Sequence, residues 1–213
     1  MTRFRNRVDA GRRLGAHLGH LKAPDVVVLG LPRGGVPVAR EVAAALGAPL
    51  DVIAVRKLGV PFDPEFAMGA IGEDGVRVLD EHTIAMVGVS DTEVAAVERR
   101  ERAVLEQRIA HIRRVHPRVP LEGATAIVVD DGIATGATAR AACAVARAHG
   151  ATRVVLAVPV APHHWARELG DVADEYVAVI ESATLRSVGQ FYDDFGQTTD
   201  DEVLEALEPP SGQ

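Results

Sequence analysis

Ala126-Ile127-Val128-Val129-Asp130-Asp131-Gly132-Ile133-Ala134-Thr135-Gly136-Ala137-Thr138 is the stretch whose reading decides the fold. Ala126 to Val129 form a short, wholly apolar run, the pattern of a strand buried on both faces. Asp130 and Asp131 stand where that strand should end. A loop with Gly132 and Gly136 follows, carrying Thr135 and Thr138. The Ala-rich run from Ala137 to His149 has the composition of a helix. Strand, acidic pair, Gly/Thr loop and helix together lay out an anion site at a helix N-terminus. There, unsatisfied backbone N–H groups and the positive end of the helix dipole face the ligand.

The two acids separate this layout from other phosphate cradles. A Walker loop needs a lysine that is absent here, and a dinucleotide fingerprint places its acid about 20 residues downstream. An ordinary helix start would need one capping Asp, not two acids plus Thr-x-x-Thr. Adjacent carboxylates before a phosphate loop suit vicinal hydroxyls beside a phosphate, as in a ribose 5-phosphate. Residues 127–138 resemble the 5-phosphoribosyl-1-pyrophosphate (PRPP) motif of type I phosphoribosyltransferases. That resemblance implies that Asp130 and Asp131 hold the ribose hydroxyls. Gly132, Ile133, Ala134, Thr135, Gly136, Ala137 and Thr138 would then cradle the 5-phosphate.

Working outward, Val26 to Leu31 is a second aliphatic run, ending in Gly30-Leu31-Pro32-Arg33-Gly34-Gly35 before a helical stretch from Val36 to Leu46. By resemblance this first loop holds the pyrophosphate of PRPP through Arg33, Gly34 and Gly35. The family often has a non-proline cis peptide there, with Arg33-Gly34 as the expected bond. Asp51 to Val55 predicts a third strand running into Arg56-Lys57, two cations at the carboxyl end where α/β sheets present ligand groups. The Val-Arg-Lys-x-Gly run resembles adenine and xanthine phosphoribosyltransferases and adds Arg56 and Lys57 to the pyrophosphate set. With the acidic pair, they form the expected catalytic group.

Residues 58–75 hold four glycines and two prolines, too broken for a helix and long for a connection. The resemblance makes them a mobile lid, with a hairpin expected around Glu73-Asp74-Gly75. Residues 91–116 predict one long helix capped by Ser90 or Asp91. Its arginines, interleaved with Glu98, Glu101 and Glu106, read as a solvated face, with RNA contact as the alternative. Arg3, Arg5, Arg7, Arg12 and Arg13 near a first helix over 8–21 read as another solvated face or a partner contact. Val154 to Val160 and Tyr176 to Ile180 supply two more strands. His163 and His164 are adjacent on a short helix, and with no third ligand nearby no metal site is expected.

The segment from Ser187 to Phe195 carries three of the seven Phe and Tyr residues, among them Phe191 and Tyr192. Such aromatics suit stacking on a flat base, or else they seal the open edge of the core. Type I enzymes build a base-binding hood from chain outside the core, which places Phe191 and Tyr192 in it. Asp200 to Leu207 predicts a last helix, with a disordered tail from Pro209.

The expected architecture is α/β: an open, mainly parallel sheet with helices on both faces in one domain. Its core spans about 24–180, with a long inserted helix at about 90–116 and a C-terminal hood at about 181–208. Of 213 residues, 47% are hydrophobic but only 4% aromatic, which suits an aliphatic core of buried strands. The formal charge of −7 argues against general nucleic-acid binding, and no DNA partner is expected. The lone cysteine, Cys143, permits no internal disulfide and reads as a small core residue. The N-terminal segment has no apolar run of the kind a signal peptide needs, and no stretch reaches the roughly 20 apolar residues of a membrane span. A cytoplasmic setting is therefore expected.

The resemblance further implies transfer of the phosphoribosyl group to a nitrogen acceptor, with Mg²⁺ held through PRPP and water beside Asp130 and Asp131. It also implies a homodimer. Gly-Leu-Pro-Arg-Gly-Gly and Phe-Tyr-x-Asp-Phe are most similar to uncharacterised bacterial phosphoribosyltransferase-like proteins. Hypoxanthine and guanine enzymes carry an Asp where this chain has Ala134; adenine and uracil enzymes have Ala. The second functional class is a non-catalytic PRPP or nucleotide sensor. About 24 residues precede the first strand, too few for a winged helix, which leaves RNA as that sensor's partner.

Overall fold

The structure, a computed structural model, describes residues 3–208, with Glu65 described by its backbone only. The tail expected from Pro209 lies outside the described residues. In chain order the elements are α1 (Arg7–His17), β1 (Val26–Gly30), α2 (Gly35–Leu46), β2 (Leu50–Val52), β3 (Val55–Val60), β4 (Asp63–Gly72) and β5 (Arg77–Leu79). Then follow α3 (Glu81–Val87), α4 (Asp91–Val115), β6 (Thr125–Val129), α5 (Ala137–Ala148), β7 (Arg153–Pro162), α6 (Trp165–Leu169), β8 (Glu175–Ser182) and α7 (Asp200–Leu207).

Five strands form a parallel sheet in the order β2-β1-β6-β7-β8. Every residue of β1 and β6 is buried, because both faces of these central strands are covered. On one face Val28, Ile127, Val129 and Val155 pack with Leu14 of α1, Leu18 just after it, and Val38 and Val42 of α2. On the other, Val27, Leu29, Val128 and Leu156 meet Ala142, Cys143 and Val145 of α5. The split follows the two-residue alternation of a strand, and each such burial contributes about 1.5–3 kcal/mol. Cys143 is buried and free, and burial pushes its thiol up to about 12. Among the described residues, no helix is long and apolar enough to cross a membrane.

The second and third aliphatic runs behave differently at their ends. β2 stops at Val52, so Arg56 and Lys57 do not extend it; they lie in β3, which belongs to a separate antiparallel sheet β3-β4-β5. Residues 58–75 are thus mostly strand rather than loop. The turn around Glu73 to Gly75 joins β4 to β5, pairing Gly69 with Leu79 and Ile71 with Arg77. Asp74 and Gly75 there take positive φ of 53° and 77°.

α4 begins with a capping box between Ser90 and Glu93. It is no free-standing insertion: Val94, Leu105 and Ile109 pack with Leu58, Met68 and Ile71 of the small sheet and Val203 of α7. Arg113, expected on the solvated face, is instead drawn inward. Its Nη1 donates to Oδ1 of the fully buried Asp51 at 2.7 Å, and its Nε to Glu73 Oε2 at 2.6 Å. One guanidinium therefore ties α4, β2 and the β4–β5 turn together.

Candidate functional site

The acidic pair stands at the carboxyl end of β6, in the centre of the parallel sheet. Asp131 N–H donates to Asp130 Oδ1 at 2.9 Å. Burial, reinforced by the charge of Asp131, pushes the Asp130 carboxyl well above the usual carboxylate range. Burial raises Asp131 as well, against the opposing pull of Arg7.

Beyond the acids the chain turns through Gly132 to Gly136 into α5. Ile133 N–H donates to Val160 O at 2.9 Å, which ties the start of this loop to β7. A Cβ on Gly132 would stand 2.5 Å from Val188 Cγ1. Gly136 has φ of 75° and would bring a Cβ within 2.8 Å of Leu169, so neither position accepts another residue without displacement. Ala134, Thr135 and Thr138 are exposed, and Ala137 opens the helix. The first-turn N–H groups of a helix have no partner inside it, so this loop offers donors to an anion.

The first loop presses directly on the acids. A Cβ on Gly34 would collide with Asp131 Oδ2, and one on Gly35 would lie 2.6 Å from Val129 O. The cis peptide is Pro32-Arg33, one bond earlier than expected. Arg56 and Lys57 share a cavity of about 430 Å³ with Pro32 and Thr138. The structure thus brings the first loop, the β3 cations and the loop before α5 to one place. Arg33 departs from the expectation. Its side chain lines a neighbouring cavity of about 350 Å³ with Arg108 and lies 3.9 Å from Asp200.

Phe191 and Tyr192 require a correction. They are 1% and 2% exposed and pack with Phe4 and Val160. The ring centroids of Tyr192 and Phe4 are 5.3 Å apart, those of Tyr192 and Phe195 4.8 Å. Rings buried in this way offer no open face for a base to stack on, so they seal the edge of the core. Tyr192 still reaches the site, donating its hydroxyl to Asp131 O at 2.6 Å. Burial pushes that hydroxyl above its ordinary pKa.

Arg7 is the site residue that sequence reasoning missed. Its Nε donates to Asp131 Oδ2 at 2.8 Å, its Nη1 to Gly196 O at 2.6 Å, and its guanidinium lies 4.1 Å from the Phe195 ring centroid. The signal available was the aromatic and acidic run at 191–195, but nothing in it names a partner near residue 7. Among the described residues no group of three or more His, Cys, Asp or Glu could hold a metal ion, His163 and His164 included. A divalent cation at Asp130 and Asp131 would need oxygens from the ligand. The burial that raises both acids, with the repulsion added at Asp130, suits such a partner.

Comparison with known proteins fits this geometry. The phosphoribosyl transferase domain model matches residues 6–185. Two curated Mycobacterium tuberculosis relatives, from strains CDC 1551 / Oshkosh and ATCC 25618 / H37Rv, are provisionally named phosphoribosyl transferases. Each is 54% identical over 208 residues, covering 98% of this chain and 47% of the relative. The chain spans about half the length of these curated relatives. The crystal structure of TT1426 from Thermus thermophilus is 44% identical and covers 97% of this chain and 98% of that one, with a TM-score of 0.90. The AQ2163 protein from Aquifex aeolicus is 11% identical over 94% of this chain and 86% of that one, with a TM-score of 0.50; it shares the fold alone. With the family model spanning most of its length, this chain belongs to the phosphoribosyl transferase domain family.

Proposed function

We propose that the protein transfers the 5-phosphoribosyl group of PRPP to a nitrogen acceptor, a nucleobase being the class best suited, and releases pyrophosphate. The observation that carries this reading is the contact of Gly34 with Asp131. It sets a glycine-rich anion loop against two adjacent carboxylates, and Pro32 of that loop shares a cavity with Thr138 of the second anion loop and with Arg56 and Lys57.

In the reaction the bond from the anomeric carbon to pyrophosphate oxygen breaks, and its electron pair leaves with the pyrophosphate. The acceptor nitrogen forms the new bond and gives up its proton to solvent. Positive charge builds on the ribose between these events. Asp130 and Asp131 accept from the ribose hydroxyls and stabilise that charge. The 132–138 loop and the N-terminus of α5 hold the 5-phosphate. Arg56 and Lys57 stabilise the leaving group. Asp130 and Asp131 would stand beside a Mg²⁺ ion brought with PRPP, which would supply further neutralisation of the pyrophosphate. Homodimerisation belongs to the same proposal and rests on the family resemblance; a cytoplasmic setting is proposed alongside it.

An RNA-binding sensor is less well supported. Arg102 pairs with Glu98 at 2.9 Å, Arg100 with Glu101 at 3.1 Å, and Arg113 is turned inward. α4 therefore lacks a continuous basic stripe.

Calorimetry with PRPP tests the reading. Binding should be measurable with Mg²⁺, weakened by EDTA, and reduced by Asp131→Asn. Losing one charged acceptor costs about 2–4 kcal/mol, or roughly 30- to 1000-fold. An absence of heat or thermal shift at millimolar PRPP would reject it.

A further inference from the structure

α4 carries cations that the proposed reaction has not used. Its residues Arg100, Glu101, Leu105 and Arg108 line the 430 Å³ cavity together with Pro32 and Thr138. Four cations line that cavity, Arg56, Lys57, Arg100 and Arg108, against the carboxylate of Glu101. This lies in a chain whose formal charge is −7. A concentration of positive charge in a concave site of an acidic protein raises the local concentration of anions.

The four cations are not equivalent. Glu101 is buried and accepts from Arg56 Nε at 2.9 Å and Arg100 Nε at 3.1 Å. Burial alone would raise the Glu101 carboxyl, but the two arginines outweigh it and hold the group below its usual pKa. Glu101 therefore stays ionised and positions both guanidiniums. Arg108 has no ion pair or hydrogen bond among the described residues. It is exposed, and it lies where this cavity and the 350 Å³ cavity behind Arg33 share a wall with Pro32. A guanidinium with its fork of donors uncommitted, lining the same cavity as Arg56 and Lys57, is placed to take a phosphate group.

We propose that Arg108, assisted by Arg100, binds the pyrophosphate group of PRPP from the α4 side, so that the long helix forms the second wall of the leaving-group site. The assignment rests on the phosphoribosyl reading above and adds residues to it. Glu101 acts as a positioning residue through Arg56.

Three ligands separate the two ideas. Wild type, Arg108→Ala and Arg108→Lys are titrated calorimetrically with Mg-pyrophosphate, PRPP and ribose 5-phosphate at fixed ionic strength. Arg99→Ala and Arg114→Ala, exposed on the same helix but lining neither cavity, serve as controls. Arg108→Ala should weaken pyrophosphate and PRPP about tenfold, the scale of one charge-assisted contact. It should leave ribose 5-phosphate unchanged. Arg108→Lys should recover part of the loss, and the two controls should bind like wild type. Wild-type affinity for pyrophosphate in Arg108→Ala would overturn the assignment while leaving the phosphoribosyl reading intact. Equal losses in Arg99→Ala and Arg114→Ala would also overturn it, since they would reveal a diffuse field. Failure of wild type to bind either PRPP or ribose 5-phosphate would instead overturn the phosphoribosyl reading, and this assignment with it.

Discussion

Arg7 and Asp131, 124 residues apart in sequence, are joined by two guanidinium contacts of 2.8 Å, Nε and Nη2 each reaching Oδ2. The carboxylate central to the proposed chemistry thus depends on the first helix of the described chain. Replacing Arg7 by Gln removes the main influence that opposes burial at Asp131. The Asp131 carboxyl should then titrate at higher pH than in wild type, as read by carbon NMR of the side chain. Stability should fall by about 1–3 kcal/mol, the cost of leaving a polar group without its partner. An unmoved titration midpoint would show that the pair is geometric only.

The raised Asp130 carboxyl sets a pH dependence whose sign can be stated. Its pKa goes from an ordinary 3.8 up to about 8 in the folded chain. A raised carboxyl favours folding in its protonated form, so the stability it contributes declines as pH rises across that window. Asp130→Asn should therefore raise the melting temperature of the ligand-free protein at pH 7. The gain should shrink toward about pH 4, where the unfolded chain is protonated at this carboxyl as well. The same variant should lose PRPP affinity. A melting temperature that falls at pH 7 would contradict the electrostatic account.

Phe191→Ala should act on stability rather than on acceptor affinity. Truncating a fully buried aromatic costs about 3–5 kcal/mol, measurable as a shift in denaturant midpoint. Tyr192→Phe keeps the ring but deletes the hydroxyl that donates to Asp131 O, costing about 1 kcal/mol. If Phe191→Ala folds like the parent and loses only acceptor binding, the sealing role is wrong.

Arg113→Met should be among the most damaging single changes away from the acids. It leaves Asp51 buried without its cation, a situation that costs about 3–5 kcal/mol. Hydrogen exchange should then quicken in β2 and in the β4–β5 turn together, because one guanidinium serves both. Exchange that quickens in only one of them would break the claimed link.

The β3–β4 hairpin holds Phe62 at its tip, 71% exposed. With Gly59 and Pro64 lining the cavity that contains Arg56 and Lys57, the hairpin is placed to respond to a ligand. Amides of residues 59–66 should exchange quickly in the free protein and slow with Mg-PRPP. Identical exchange in both states would mean that the hairpin is no lid.

The parallel sheet was legible because local pattern suffices for it. Val26 to Leu29 and Ala126 to Val129 are unbroken apolar runs, and each is followed by a glycine loop and a helix. Two features were less legible, because they depend on distant chain. Arg56 and Lys57 look like the end of one strand, yet Ile53 and Ala54 break it and start another sheet. Arg7, Arg108 and Arg113 look alike as arginines on charged helices, yet one holds an acid, one lines a cavity and one is turned inward. Periodicity records which helical positions are apolar; it does not record which charged neighbours another element brings. Phe191 and Tyr192 have the composition of a stacking platform, and only the packing of Phe4 against them distinguishes a seal.

The missing Cβ atoms at Gly34 and Gly35 also have an evolutionary consequence. Two loops almost a hundred residues apart in sequence touch through backbone and carboxylate with no space for an intervening side chain. Neither loop can drift independently of the other. In a library randomised at 33–35 alone, selection for function should return glycine at 34 and 35. Alternatives at 34 should emerge only when position 131 is varied as well, so the two loops constitute one heritable unit.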